Sequence, residues 1–204
     1  MQSPGRGIMG ANLDLCLDFA DTVDWRTSNH SKDTLESYSD LLEWSVRKGV
    51  LDQKQAEALA KSRAREEQVL KDARRLREAI YRMFSAIAHE RRADSADLGI
   101  LNEFLARGLA RAKIGEAGET YGWEWRDEAS SDMMLFPVAN SAAVLLTSED
   151  LGRVRECANE EEGCGSLFLD CSKSQSRRWC SMESCGNRMK FKTYYDKHRR
   201  TKTD

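Results

Sequence analysis

The sequence predicts a mainly α chain with short strands: a helical N-terminal domain followed by a small, cysteine-rich C-terminal finger. Three observations predict it. Apolar residues recur at steps of three and four through Val69, Ala73, Leu76, Ile80, Met83 and Ile87, the period of an amphipathic helix. Only 2 of the 204 residues are proline, while 32% are charged and 40% hydrophobic. That composition suits helices and excludes collagen-like, low-complexity and mostly disordered chains. Finally, five of the six cysteines lie between Cys157 and Cys185, so the end of the chain is built on a different principle from the rest. No apolar run approaches ~18 residues, so no membrane span or membrane partner is expected. The N-terminus leads into no long apolar stretch of the kind that starts a secretory signal, and a cytoplasmic protein is expected.

Each element has its own cause. Gly5, Gly7 and Gly10 make residues 1–11 a flexible leader. The segment Leu13 to Val23 fits two periods. Leu13, Leu15, Leu17 and Phe19 alternate as in a strand, whereas Leu13, Cys16, Leu17 and Ala20 share a helical face. Asn12 as a cap favours helix. Ser31 and Asp33 are cap candidates for a helix with Leu35, Tyr38, Leu41, Leu42 and Ser45, stopped by Gly49. Asp52 opens the next, and the pattern through residue 92 is one long helix or two, with a break near 62–66. Asp94 or Ser95 starts a helix with Leu98, Leu101, Leu105 and Leu109 on one face. Residues 114–120 read as a turn and Tyr121 to Trp125 as a strand. Ser130, Ser131 and Asp132 cap a helix from about 133 to 147, with Pro137 in its first turns. A seam near 148–153 separates domains at 12–150 and 151–204.

Charge divides the chain at a similar place. Residues 172–204 carry ten Lys/Arg against three acidic residues, a balance of +7, while residues 1–171 stand at −9. A basic terminal segment on an acidic body points to a nucleic-acid partner, or else to a solvated tail.

The cysteines are spaced as Cys157-x6-Cys164, then 15 residues, then Cys180-x4-Cys185. Two close pairs joined by a longer arm can surround one tetrahedral ion, and four soft thiolates suit a single structural zinc (Zn2+) with no position left open for substrate. Cys171 is a surplus candidate that could replace one ligand. Residues 166–170 are strand-like and fit a hairpin with 153–156. From Met182 the pattern turns helical, with Met189, Tyr194 and Tyr195 as docking residues. A knuckle, a hairpin and a helix that starts at the second cysteine pair describe a treble-clef-like zinc finger.

The blocks Cys157-Ala158-Asn159, Leu167 to Asp170, Ser176 to Met182 and Cys185-Gly186-Asn187-Arg188 closely resemble the CGNR zinc-finger family. Leu15 to Thr22, Asp40 to Trp44 and Pro137 to Ala143 resemble the ABATE domain that usually precedes that finger. The resemblance implies a bacterial, stress-associated transcription regulator: a ligand-sensing domain joined to a DNA-binding finger. Two departures stand out. The first cysteine pair is commonly about C-x4-C, and here Glu160-Glu161-Glu162-Gly163 lengthens the knuckle. The family commonly has Asn where Asp21 stands.

The candidate DNA contacts are Arg177 and Arg178 before the third cysteine, Arg188, Lys190 and Lys192 on the proposed helix, and Lys197, Arg199 and Arg200 at its end. Asn187 and Arg188 have an alternative role beside the metal, hydrogen-bonding sulfurs or the knuckle backbone. Asp18 and Asp21, with Trp25 and Arg26 close behind, are the candidates for binding a small-molecule or protein effector. A zinc finger that binds protein rather than DNA is the competing reading. Catalysis is not expected: His30, His89 and His198 are scattered, and no nucleophile triad, phosphate loop or H-E-x-x-H motif is present. A homodimer is compatible with this plan.

Overall fold

The computed structural model of the chain describes residues 12–62, 65–118, 120–125 and 130–200, with backbone alone at 117, 123–125, 196–197 and 199–200. The leader at 1–11 and Lys202 lie outside the described residues. The elements in order are α1 (Leu15–Ala20), the two-residue strands β1 (Val23–Asp24) and β2 (Lys32–Asp33), α2 (Tyr38–Arg47), α3 (Gln53–Ser62), α4 (Glu66–Ala88), α5 (Ser95–Leu109), β3 (Ala112–Ala117), β4 (Thr120–Trp125), α6 (Leu135–Leu146), β5 (Val154–Glu156), β6 (Leu167–Leu169) and α7 (Asn187–Arg200). The strands form three separate antiparallel hairpins, β1–β2, β3–β4 and β5–β6. No helix among the described residues is long and apolar enough to cross a membrane.

Helix α4 is the axis of the core. Val69, Ala73, Leu76, Ile80, Met83 and Phe84 are buried along one side. The break before it falls between Ser62 and Glu66, where Arg65 adopts φ 64°. Against it lie α5, α6 and the short α1, in which Leu15, Cys16, Leu17, Phe19 and Ala20 are all buried. So short a helix is marginal alone and is held by its neighbours. Ser141 of α6 fixes its start: the Oγ accepts from the Cys16 N–H at 3.1 Å and donates to the Asn12 carbonyl at 2.7 Å.

Several expectations are corrected. The helix expected from Ser31 or Asp33 begins instead at Tyr38. Ser37 is its cap, and Ser37 and Asp40 exchange side-chain-to-backbone bonds in a capping box. Asp33 is drawn into β2 because it neutralises Arg77. The buried face of α5 runs through Asp97, Leu101, Phe104 and Gly108, while Leu98 and Leu109 are exposed. Phe104 buries more area than a leucine, and Asp97 is held by Arg82. Gly108 belongs on this face because an added Cβ would stand 3.1 Å from the Phe136 side chain. Residues expected as a turn at 114–117 form β3, paired with β4. Helix α6 starts without a side-chain cap, because the Asp132 carboxylate is taken by Arg107 and Arg111.

One charged residue intrudes on the inner face of α4. The Arg77 side chain is 4% exposed. Its guanidinium donates to both Asp33 carboxylate oxygens, at 2.6 and 2.8 Å, and to Glu78 at 3.0 Å. A buried guanidinium stripped of its main partner is far costlier than the pair is favourable. Asp33→Ala should therefore destabilise the fold by about 2–3 kcal/mol in urea unfolding, with Asp33→Asn losing less because one acceptor remains.

Candidate metal centre

Four cysteine sulfurs meet at the end of the chain. The Sγ atoms of Cys157, Cys164, Cys180 and Cys185 all lie within 4.8 Å of one another. Cys164 and Cys180 are 3.7 Å apart, as are Cys180 and Cys185. A tetrahedral zinc with Zn–S bonds near 2.3 Å places its sulfurs about 3.8 Å apart, so the set fits one ion. Three of the four are buried, and Cys180 is partly exposed. Cys171 is exposed and stands outside the cluster. Crowding alone perturbs these thiols. Hydrogen bonds with Cys164 and Cys180 hold the Cys157 thiol below its ordinary value, while Cys157 and Cys164 push Cys180 up. Four thiolates this close need a cation, and zinc would serve as a staple without open coordination for chemistry.

Local structure explains each ligand's position. Antiparallel β5–β6, with Val154 opposite Leu169 and Glu156 opposite Leu167, carries Cys157 and Cys164 in the loop that joins the two strands. Gly163 and Gly165 flank Cys164 at φ +72° and +65°, a left-handed backbone that favours glycine. A side chain on Gly163 would also meet Ser28 at 2.6 Å. The buried Asp170 carboxylate accepts the Ser172 and Arg177 N–H groups, both at 2.9 Å, and so shapes the arm toward Cys180. Ser181 caps the π-helical turn Met182–Gly186 that carries Cys185. Gly186 is close-packed: an added Cβ would come within 2.8 Å of the Met182 sulfur and 3.3 Å of the Trp179 ring.

Side chains outside the four cysteines also reach metal-site sulfurs: Asn159 Nδ2 donates to Cys185 Sγ at 3.4 Å, and the Ser166 hydroxyl lies 3.3 Å from Cys164 Sγ. Asn159 is fully buried; the sequence marked it as part of the block Cys157-Ala158-Asn159, without a role for its side chain. Asn187 donates instead to the Glu183 carbonyl at 3.4 Å. Arg188 lies over the Trp25 ring at 4.7 Å and pairs with Glu162 at 3.4 Å. Arg177 donates to the carbonyls of Trp179 and Cys180 and lies over Phe168, so it braces the knuckle. Arg178 is exposed and faces the Trp179 ring. Lys190 is exposed on α7, and Lys192 is paired with Glu161. Lys197, Arg199 and Arg200 continue α7, their side chains outside the described residues. The expected docking residues Tyr194 and Tyr195 are instead 58% and 64% exposed, because that part of α7 extends beyond the packed finger.

The finger is joined to the helical body by main-chain bonds. Arg26 N–H donates to the Cys164 carbonyl and Thr27 N–H to that of Gly163, both at 3.1 Å. Trp25, at φ 51°, packs on the cysteine cluster. Arg26 turns inward to Glu78 at 2.7 Å and the Ala20 carbonyl at 2.6 Å. Asp18 and Asp21 line a surface pocket of about 450 Å³ with Asp24, Glu43, Trp44 and Lys48 among its walls; Trp25 and Arg26 point elsewhere. Asp21 also accepts the Leu167 N–H of the finger hairpin at 2.9 Å. Desolvation pushes its carboxyl up to about 8, against the opposing hydrogen bond from Leu167.

Residues 13–149 match the family model ABATE, described as "Putative stress-induced transcription regulator". Residues 153–198 match the CGNR zinc finger. No curated protein gives a significant match.

Two predictions follow from this geometry. Cys180→Ala should abolish stoichiometric zinc, read with a colorimetric chelator. Because Val154, Leu167 and Leu169 belong to the main core, it should also lower the melting temperature of the whole chain instead of melting a separate finger. The Asp21 carboxyl is raised in the folded state, so that state binds its proton more tightly than the unfolded chain does. Its contribution is full below about pH 4 and declines as pH rises toward 8. Asp21→Asn keeps the acceptor for Leu167 and loses the titration. Its melting temperature should equal wild type near pH 4 and exceed it near pH 8, by on the order of 5 °C.

Proposed function

The chain belongs to the ABATE family and ends in a CGNR zinc finger with four clustered cysteines suitable for one zinc ion, and we propose that it is a ligand-responsive, DNA-binding transcription regulator. One observation carries the coupling. Residues 21–28 form a single short segment with the pocket at one end and the zinc knuckle at the other. Asp21 and Asp24 line the pocket, and the next residues donate backbone hydrogen bonds to Cys164 and Gly163. A ligand that displaces this segment acts on the finger with no intervening element. Asp18 and Asp21 are the proposed effector contacts: Asp18 already holds Lys48 at 2.7 Å, and the raised Asp21 carboxyl can offer a neutral hydrogen-bonding group. Asp24, Asp40 and Glu43 beside Arg47 and Lys48 make the wall a mixed, polar one.

The proposed DNA surface is α7 with the knuckle before it. Arg178, Arg188, Lys190, Lys192, Lys197, Arg199 and Arg200 supply cations for phosphate, and Arg177 supports them from within the knuckle. Phosphate contacts of this kind give affinity and register without sequence information. A protein-binding finger is the second reading, favoured by the exposed aromatic side of α7 at Phe191, Tyr194 and Tyr195.

Selection of bound fragments from random and genomic DNA by the zinc-loaded protein at two salt concentrations separates the two readings. One enriched sequence that survives higher salt supports a sequence-reading regulator, and no retained DNA favours protein binding. Lys190→Gln should weaken binding to all sequences alike. The slope of log K against log salt should fall by about one.

A further inference from the structure

The lengthened first knuckle carries Glu160, Glu161 and Glu162 between two metal-site cysteines. Two of these acids reach α7. Glu161 pairs with Lys192, and Glu162 pairs with Arg188 at 3.4 Å. Glu162 is itself positioned by Asn159, whose Nδ2 donates to it at 3.3 Å. Asn159 in turn sits on Cys185 Sγ. The acidic loop is thus held by the metal site, on the same cations that the proposed function assigns to phosphate.

We propose that this loop is an intramolecular stand-in for a nucleic-acid backbone: Glu161 and Glu162 occupy Lys192 and Arg188, and an incoming polyanion must displace them. The inference rests on the DNA-binding reading of α7. The physical terms suit a displaceable competitor. All four side chains are roughly half exposed, at 52% and 38% for Arg188 and Glu162 and 45% and 57% for Lys192 and Glu161. Pairs that exposed are weak and salt-screened. Yet they are tethered, because the loop is fixed at both ends by Cys157 and Cys164, so their local concentration does not fall on dilution. A duplex offers a row of phosphates where the loop offers two carboxylates, so a polyanion displaces the loop while a lone anion does not. The loop thus raises the threshold for binding without blocking it.

The test uses the full zinc-loaded chain, a random-sequence DNA duplex and a heparin column. Glu161→Gln/Glu162→Gln should bind the duplex about fivefold to tenfold more tightly than wild type at low salt. Its salt slope should be steeper by up to about two, because both cations then exchange counterions for phosphate. Glu160→Gln is the control for charge alone. It matches Glu162→Gln in net charge, and the Glu160 side chain meets no partner on α7 among the described residues. It should gain clearly less than Glu162→Gln. In an Arg188→Gln/Lys192→Gln background the glutamate substitutions should give no gain. Equal gains from Glu160→Gln and Glu162→Gln, or no gain from the double variant on either probe, overturn the proposal. If no variant binds the duplex but heparin elution follows the predicted order, the DNA reading fails and the competitor stands. Equal zinc content across the set confirms that the finger is intact.

Discussion

Strand β6 is three residues long, and the alternation of a strand sends Leu167 and Leu169 to one face and Phe168 to the other. Both faces are buried. Leu167 and Leu169 join the core built on α4 and α1, while Phe168 joins the cysteine cluster with Trp25 and Trp179. A slip of one residue would exchange these faces and break both cores at once. The pairing with β5 prevents it, and so do two side-chain contacts to Glu156: the Tyr81 hydroxyl donates at 3.1 Å and the Ser85 hydroxyl at 2.6 Å. Burial of this hairpin under α4 makes the metal site part of the main fold. A structural zinc there contributes its binding free energy to folding of the whole chain.

The same constraint explains why the segment after α1 is so crowded with polar contacts. Asp21 must hold the Leu167 N–H, Arg26 must reach Glu78 and the end of α1, and the backbone at 26–27 must meet the knuckle. Between them Trp25 takes a left-handed backbone, which costs a non-glycine residue about 1–2 kcal/mol. Its ring is the floor for Arg188 and a wall of the cysteine cluster. In the proposed coupling, this strained residue, held by contacts on both sides, is the point at which a change at the pocket would reach the finger.

Much of this was legible in the sequence, for physical reasons. Long-period elements announced themselves: α4 through its apolar steps, the two-helix break at 62–66 through excessive length, and the ends of β5–β6 through the spacing of cysteines. The four-sulfur cluster was legible because metal geometry restricts spacing. What was not legible depended on long-range partners. Asp33 looked like a helix cap until Arg77, 44 residues away, claimed it. The α5 face was misread because leucine spacing alone does not show which neighbour is a phenylalanine ring. Trp25 and Arg26 sat beside a resembling motif, yet they serve the finger and the α4 face. Asn159 stood in a block that carries the family resemblance, yet its role was hidden, since its hydrogen bond to the Cys185 sulfur is made across the fold.

Charge arithmetic shows why position matters more than total. Residues 153–204 carry twelve Lys/Arg and eight Asp/Glu. Four thiolates around one dication add a further −2, which leaves the finger only about +2. In the proposed DNA-binding role, attraction to a polyanion therefore cannot come from net charge, and over distances beyond a Debye length the finger is nearly neutral. It must come from the arrangement along α7, where Arg188, Lys190 and Lys192 lie within five residues. A helix places residues two apart on different flanks and residues four apart on the same one. Arg188 and Lys192, four apart, share the side that meets the acidic knuckle, while Lys190 stands on another. The lengthened knuckle thus meets one flank of the helix, and in the proposed function the other flank, with Lys190, is left to make first contact with DNA.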